Sequence, residues 1–180
     1  MKPTNLTSKR LILRRTRDGD ADYLFDYTSD IECSKFLTRA PHTNIEQTKK
    51  FLDKWCNISW DNNEDNFSWV VSLALNDEAI GILLTNLEEN QAQVHFGLRR
   101  EFWNNGYGSE LLKAGTDWLL SQGSLKRVWT VCDLENTGSI KVLEKSGFIR
   151  EGVLKNWVVF PALGDEARDC YLYFRLRENS

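Results

Sequence analysis

The hydrophobic period of this sequence passes near residue 98 from a run of strands to alternating helices and strands, and that change fixes the class of fold. Residues 67–75 are rich in aromatic and β-branched side chains, and Asn76-Asp77 makes a turn into a second strand over 79–87. Asn90-Gln91 leads into a third over 92–98, where Val94, Phe96 and Leu98 share one face. Three strands joined by tight turns form an antiparallel meander. Beyond residue 98 the apolar spacing becomes helical: Leu111, Ala114, Gly115, Trp118 and Leu119 line a helix over 107–120. Gly123 ends it, a strand follows at 127–132, and a shorter helix over 136–145 carries Ile140, Val142 and Leu143 before Gly147. Late strands over 153–160 and 170–176 complete a mixed α+β sheet.

The first third reads as a strand at Leu11-Ile12-Leu13, a helix over 18–28 built on Ala21, Leu24 and Phe25, and a second helix capped by Thr43 or Asn44. A polar loop spans 61–66. No linker or repeat divides the 180 residues, so one domain over 8–177 is expected. The longest uncharged run is 11 residues (66–76), too short for a membrane helix. No basic segment followed by an apolar run marks a signal peptide. Residues 1–17 carry six basic side chains and no acid, yet the chain's net charge is -3, so the rest lacks the basic field that nucleic acid requires. Cys33, Cys56, Cys132 and Cys170 lack metal or redox spacing, and His42 and His95 add none, so no metal is expected. A reduced, cytoplasmic protein, monomer or homodimer, is the expectation.

Chemistry concentrates in residues 99–110, Arg-Arg-Glu-Phe-Trp-Asn-Asn-Gly-Tyr-Gly-Ser-Glu, between the third meander strand and the long helix. A glycine there lets the backbone turn tightly, and free N–H groups at a helix head cradle phosphate oxygens. The segment lacks the Lys-Ser/Thr ending of the nucleotide triphosphate loop. It also has Leu111 where the dinucleotide fingerprint needs a third glycine. Phosphate binding and an ordinary glycine-bearing helix start both fit these residues alone.

The same residues resemble the acetyl-coenzyme A motif of the GCN5-related N-acetyltransferase (GNAT) superfamily, and most closely the branch of the ribosomal-protein serine/alanine N-terminal acetyltransferases. Phe102, Trp103, Gly106, Tyr107 and Glu110 match its aromatic-Trp-x-x-Gly-Tyr-x-x-Glu pattern. Asn136-Thr137-Gly138-Ser139-Ile140-Lys141 through Gly147-Phe148, then Glu151-Gly152, match a second motif, and Arg10-Leu11-Ile12-Leu13-Arg14 the branch's first strand. The resemblance implies a mostly antiparallel sheet flanked by helices and splayed at the cofactor site between strands 92–98 and 127–132. It implies acetyl-coenzyme A as cosubstrate, its pyrophosphate on the amides of Asn104, Asn105, Gly106, Tyr107, Gly108 and Ser109. Its pantetheine would pair with the free strand edge, with the thioester carbonyl at an N–H near Leu98. Asn136 and Ser139 would face the sulfur end, and Arg99, Arg100 or Lys141 would meet phosphate.

Two departures bear on the chemistry. Trp103 stands where the wider superfamily has Gln or Arg, which sharpens the branch. Leu143 stands where many members place a tyrosine that protonates the departing thiolate, so Ser139 or water is the candidate acid. An amine must lose a proton before attack, and His95, on the face opposite Val94, Phe96 and Leu98, is the candidate base. Asp133 and Glu135 are weaker candidates, and Asp169 or Tyr171 would line the site. The acceptor is an amine, a protein N-terminus or a small molecule. Trp55, Trp60 and Trp69 are either cleft or core, and Asp61, Glu64, Asp65, Asp77 and Glu78 either attract a cation or are simply solvated. A coenzyme A-binding sensor or partner-binding domain without transfer is the alternative.

Overall fold

The structure, a computed structural model, describes residues 1–177. Eight strands make one open sheet in the order β1-β2-β3-β4-β5-β6-β8-β7. They are β1 (Leu6–Thr7), β2 (Leu11–Arg14), β3 (Asn66–Leu73), β4 (Ala79–Glu88), β5 (Gln91–Leu98), β6 (Arg127–Asp133), β7 (Ile149–Val159) and β8 (Ala167–Leu176). Every neighbouring pair is antiparallel except β5 and β6, joined by a long crossover.

Helices cover both faces. α1 (Asp20–Ser29), the single turn α2 (Ile31–Ser34) and α3 (Ile45–Asp53) come first; α3 runs through a π-helical turn (Lys54–Ile58) into α4 (Ser59–Asp61). Asn44 is the cap of α3: its side chain accepts from Gln47 N, while Gln47 Oε1 accepts from the N–H of Thr43, the residue before the cap. α5 (Tyr107–Ser121) and α6 (Thr137–Lys145) lie against the opposite face.

The side-chain alternation of β3 and β4 sorts the core into two layers. Trp69, Val71 and Leu83 pack with Leu111, Leu112 and Leu119 of α5, while Val70 and Ile82 pack with Leu24 and Tyr27 of α1 and Leu52 of α3. Burial on both faces explains why β3 reads as an apolar run rather than an alternating one. Trp60 and Trp69 are buried, edge to face at 6.3 Å, and their indole N–H groups donate to Ser68 O and Thr4 O, so they are core and not cleft. The N-terminal arginines are structural too: Arg15 pairs with Asp61, Arg17 with Asp77, and Arg14 with both Asp20 and Asp77. That removes Asp61 and Asp77 from any free acidic patch, and Glu78 joins them by pairing with Arg99.

β7 begins four residues earlier than its sequence suggests, because it is an edge strand exposed along most of its length and carries no alternating pattern. β1 and α2 escape the sequence reading through shortness; α2 is set only by the Asp30 side chain, which accepts from Glu32 N and Cys33 N. Among the described residues no helix is long and apolar enough to cross a membrane.

Candidate active site

β5 and β6 pair over only three positions, Gln91 with Arg127, Ala92 with Val128 and Gln93 with Trp129, and then part. The alternation of an antiparallel ladder decides which way the freed β5 groups point. Arg99 N donates to Ile80 O of β4 at 2.8 Å, so Gly97 and His95 also bond toward β4. Val94, Phe96 and Leu98 therefore turn their N–H and C=O groups toward the opening. The Leu98 carbonyl accepts from Trp103 Nε1 at 2.9 Å, with Cys33 Sγ at 3.6 Å, and leaves its amide facing the gap. Burial, then Asp30, pushes the Cys33 thiol up to about 12, so it stays protonated.

The strand runs into a 3-10 turn (Arg100–Phe102) and the loop that begins α5. Asn104 (φ 61) and Gly106 (φ 79) both adopt the left-handed region, natural for glycine and tolerated by asparagine. Among the hydrogen bonds of the described residues, none uses the amides of residues 104–109 as donor; the first is Glu110 N to Gly106 O at 3.2 Å. Six free N–H groups thus gather at the positive end of a 15-residue helix. At Gly108 a Cβ would stand 3.0 Å from Val142 of α6, so glycine lets the two helices meet.

The other expected cofactor contacts divide. Arg99 is corrected: its side chain is buried and held by Glu78 and Glu101, with Asp26 at 3.7 Å, and its own amide is bound to β4. An arginine enclosed by carboxylates is not available to phosphate. Arg100 is exposed and only loosely paired with Asp30 at 3.5 Å, and Lys141 is exposed with no ion pair among the described residues. Asn136 Oδ1 accepts from Ser139 N at 3.1 Å, so it caps α6 and leaves only its amide nitrogen for other work. The Ser139 hydroxyl has no partner among the described residues.

His95 lies opposite Leu84 on the α1–α3 side of β5, as its register requires. It is half-buried rather than exposed, and burial lowers its pKa, so the ring is neutral at pH 7. Asp133 is corrected as a base: Arg168 grips it at 2.6 and 3.2 Å and also pairs with Glu135. Asp169 fills a bulge of β7, accepting from Lys155 Nζ and Asn156 N. The Tyr171 ring lies under Arg150, on the α6 side of the sheet. Leu143 is core.

Three residues near the opening are not among the expected site residues. Tyr27 of α1 is seated so tightly on Gly97 that a Cβ there would stand 2.1 Å from its hydroxyl. Trp129, at the last paired position of β6, has a buried indole N–H with no partner. Arg10 reaches the α5 loop from β2's approach. Gly97→Ala is therefore expected to lower the melting temperature by several degrees, since rigid groups must move at about 1–3 kcal/mol. Tyr27→Phe leaves the overlap with the ring carbon at 2.5 Å and should not restore stability, whereas Tyr27→Leu should. Equal melting temperatures for Gly97→Ala and the parent would contradict this contact.

A sheet parted between two parallel strands, one free edge running toward a helix-head loop of unpaired amides, is the arrangement that the sequence resemblance implies. Residues 10–149 match the acetyltransferase (GNAT) domain family, and the chain belongs to it. An uncharacterized N-acetyltransferase, p20, of Bacillus licheniformis is 31% identical over 155 residues, 84% of this chain and 86% of that protein. A GNAT-family acetyltransferase structure from Bacillus anthracis superposes with a TM-score of 0.84 at 26% identity, covering 98% of this chain and all of its own. RimL, a ribosomal L7/L12 alpha-N-protein acetyltransferase in complex with coenzyme A, shares the fold with a TM-score of 0.81 at 21% identity, covering 96% and 98%.

Proposed function

We propose that this acetyltransferase takes its acetyl group from acetyl-coenzyme A and passes it to a primary amine, a protein N-terminus or a small molecule, by direct attack. The observation that carries this reading is the continuity of two donor sets: the free β5 edge ends where the six unpaired amides begin. An extended amide-bearing arm fits the first and a pyrophosphate fits the second.

Acetyl-coenzyme A supplies an activated thioester. The chain supplies orientation: the loop amides hold phosphate, the β5 edge aligns the arm, and the Leu98 N–H is aimed where negative charge grows on the carbonyl oxygen. His95 is the proton acceptor for the amine. Its neutral ring is ready at pH 7, and because burial lowers its pKa, kcat should hold through the ordinary histidine value and fall only at lower pH. Ser139 is the donor toward the departing sulfur.

Calorimetric titration with acetyl-coenzyme A, followed by an amine screen read by thiol release and mass spectrometry, tests the reading. Saturable binding and a +acetyl product support it; no binding by folded protein ends it. His95→Ala should lower kcat about tenfold or more with unchanged affinity for acetyl-coenzyme A. An unchanged rate across pH returns His95 to packing, and Ser139→Ala tests the acid separately.

A further inference from the structure

Arg10, the residue immediately before β2 in the Arg-Leu-Ile-Leu-Arg motif, lies 95 positions before the Asn105 carbonyl it touches. Its Nη1 donates to the Asn105 carbonyl at 3.0 Å. The guanidinium stacks over the Tyr107 ring at 4.3 Å, and Nη2 lies 3.5 Å from where a Gly106 Cβ would be. Glu110, one turn into α5, fixes Arg10 in return: Oε2 accepts from Arg10 Nε at 2.7 Å, and Oε1 from Arg10 N at 2.7 Å and Ser8 Oγ at 2.8 Å. Burial pushes the Glu110 carboxyl up, but these donors outweigh it and hold it below its ordinary value.

We propose that Arg10 is a positioning residue for the phosphate-binding loop, holding its carbonyls outward so that its amides converge on the ligand. The proposal rests on the reading of the loop as the coenzyme A site. Two side chains do this: Arg10 on the Asn105 carbonyl, whose peptide unit carries the Gly106 N–H, and Asn105 Nδ2 on the Trp103 carbonyl at 2.9 Å, whose peptide unit carries the Asn104 N–H. A peptide unit whose C=O is held on one side presents its N–H on the other. Glu110 neutralises the guanidinium, so Arg10 acts through geometry and not as a free charge on phosphate. Lysine cannot replace it. A single ammonium lacks the planar fork that meets Glu110 and Asn105 together.

Calorimetry with coenzyme A and with its nucleotide half, 3′-phosphoadenosine 5′-diphosphate, tests this at two salt concentrations. Arg10→Ala should weaken both ligands by about tenfold or more, the loss of a hydrogen bond from a charged group. Its salt dependence should match the parent's, because no phosphate contact is lost. Arg10→Lys keeps the stem over Tyr107 and the charge beside Glu110, guarding against simple misfolding, and should bind as weakly as Arg10→Ala. Parent-like affinity in Arg10→Ala overturns the proposal. So does recovery in Arg10→Lys, or a shallower salt slope, since either makes charge the operative property. If the parent itself binds neither ligand, the coenzyme A reading fails first and takes this inference with it.

Discussion

Gly106→Asp is expected to abolish coenzyme A binding while lowering the melting temperature by only a few degrees. Gly106 is the N-cap of α5, and in the native chain no side chain caps this helix. An aspartate at that position sets a carboxylate at the head of the helix beside the free N–H groups of residues 104–109, although the left-handed backbone is not the extended one that a capping side chain uses. These amides belong to the proposed phosphate cradle, so the substitution fills it with a built-in anion. The space exists, since the nearest atom to an added Cβ is Arg10 Nη2 at 3.5 Å. The left-handed φ of 79° costs about 1–2 kcal/mol in a residue other than glycine, a few degrees of melting temperature in a domain of this size. Stability and binding therefore separate. Affinity should fall by about a hundredfold or more, close to 2.7 kcal/mol. Gly106→Asn, which has the same shape without the charge, should lie between the Asp variant and the parent. Calorimetry with thermal melts measures both quantities. Affinity within about threefold of the parent would place the anion site elsewhere. The same change at Gly108 is a poorer probe, because Val142 stands 3.0 Å from its Cβ and the fold itself would be disturbed.

What the sequence disclosed follows from the range of the interactions involved. The α5 loop was legible because glycine, asparagine and a following helical stripe act on their own neighbours, and Asn104 and Gly106 indeed take the left-handed conformations such a turn requires. The parting of β5 from β6 came from family resemblance, and the register shows it as three pairs followed by none. Long-range partnerships left no trace. Arg99 beside Arg100 looks like a free basic pair, yet one is locked among carboxylates that lie from 2 to 73 positions away and the other is exposed. Gly97 reads as a weak point in a strand until Tyr27, 70 residues earlier, is found seated on it. His95 was placed on the correct face by alternation, but alternation says nothing about what covers that face, and α1 and α3 cover much of it. The Trp60 and Trp69 rings resolve as core for the same reason: period predicts direction, and only tertiary packing decides whether water remains there.

Arg14→Met is expected to be the most damaging single change to stability outside the apolar core. The side chain is 2% exposed and bonds Asp20 twice, at 2.7 and 2.9 Å, and Asp77 at 2.7 Å, with further bonds to the carbonyls of Arg15 and Asp77. It therefore ties the end of β2 to the first turn of α1 and to the turn between β3 and β4. Removing it strands Asp20, itself 4% exposed, without its main counter-charge. Breaking a buried pair from one side costs about 3–5 kcal/mol, a large share of the roughly 5–15 kcal/mol that holds a domain folded. The melting temperature should fall by about 10 °C. Arg14→Met combined with Asp20→Leu should recover part of the loss, because no buried charge then lacks a partner. The pH dependence has a definite sign. Burial acts to raise the Asp77 pKa, but Arg14, Ser72 and Arg17 together hold it below 3.8. A depressed carboxylate contributes stability that is present above its unfolded value and lost as pH falls through the folded one. The gap in melting temperature between parent and Arg14→Met should accordingly narrow below pH 3.8, and a constant gap would remove Asp77 from the account. Coenzyme A affinity, measured well below the melting temperature, should barely change in Arg14→Met. The proposed phosphate loop is braced from Arg10, just before β2, and from Glu110, one turn into α5, so on this proposal two arginines of one motif divide the labour between fold and ligand.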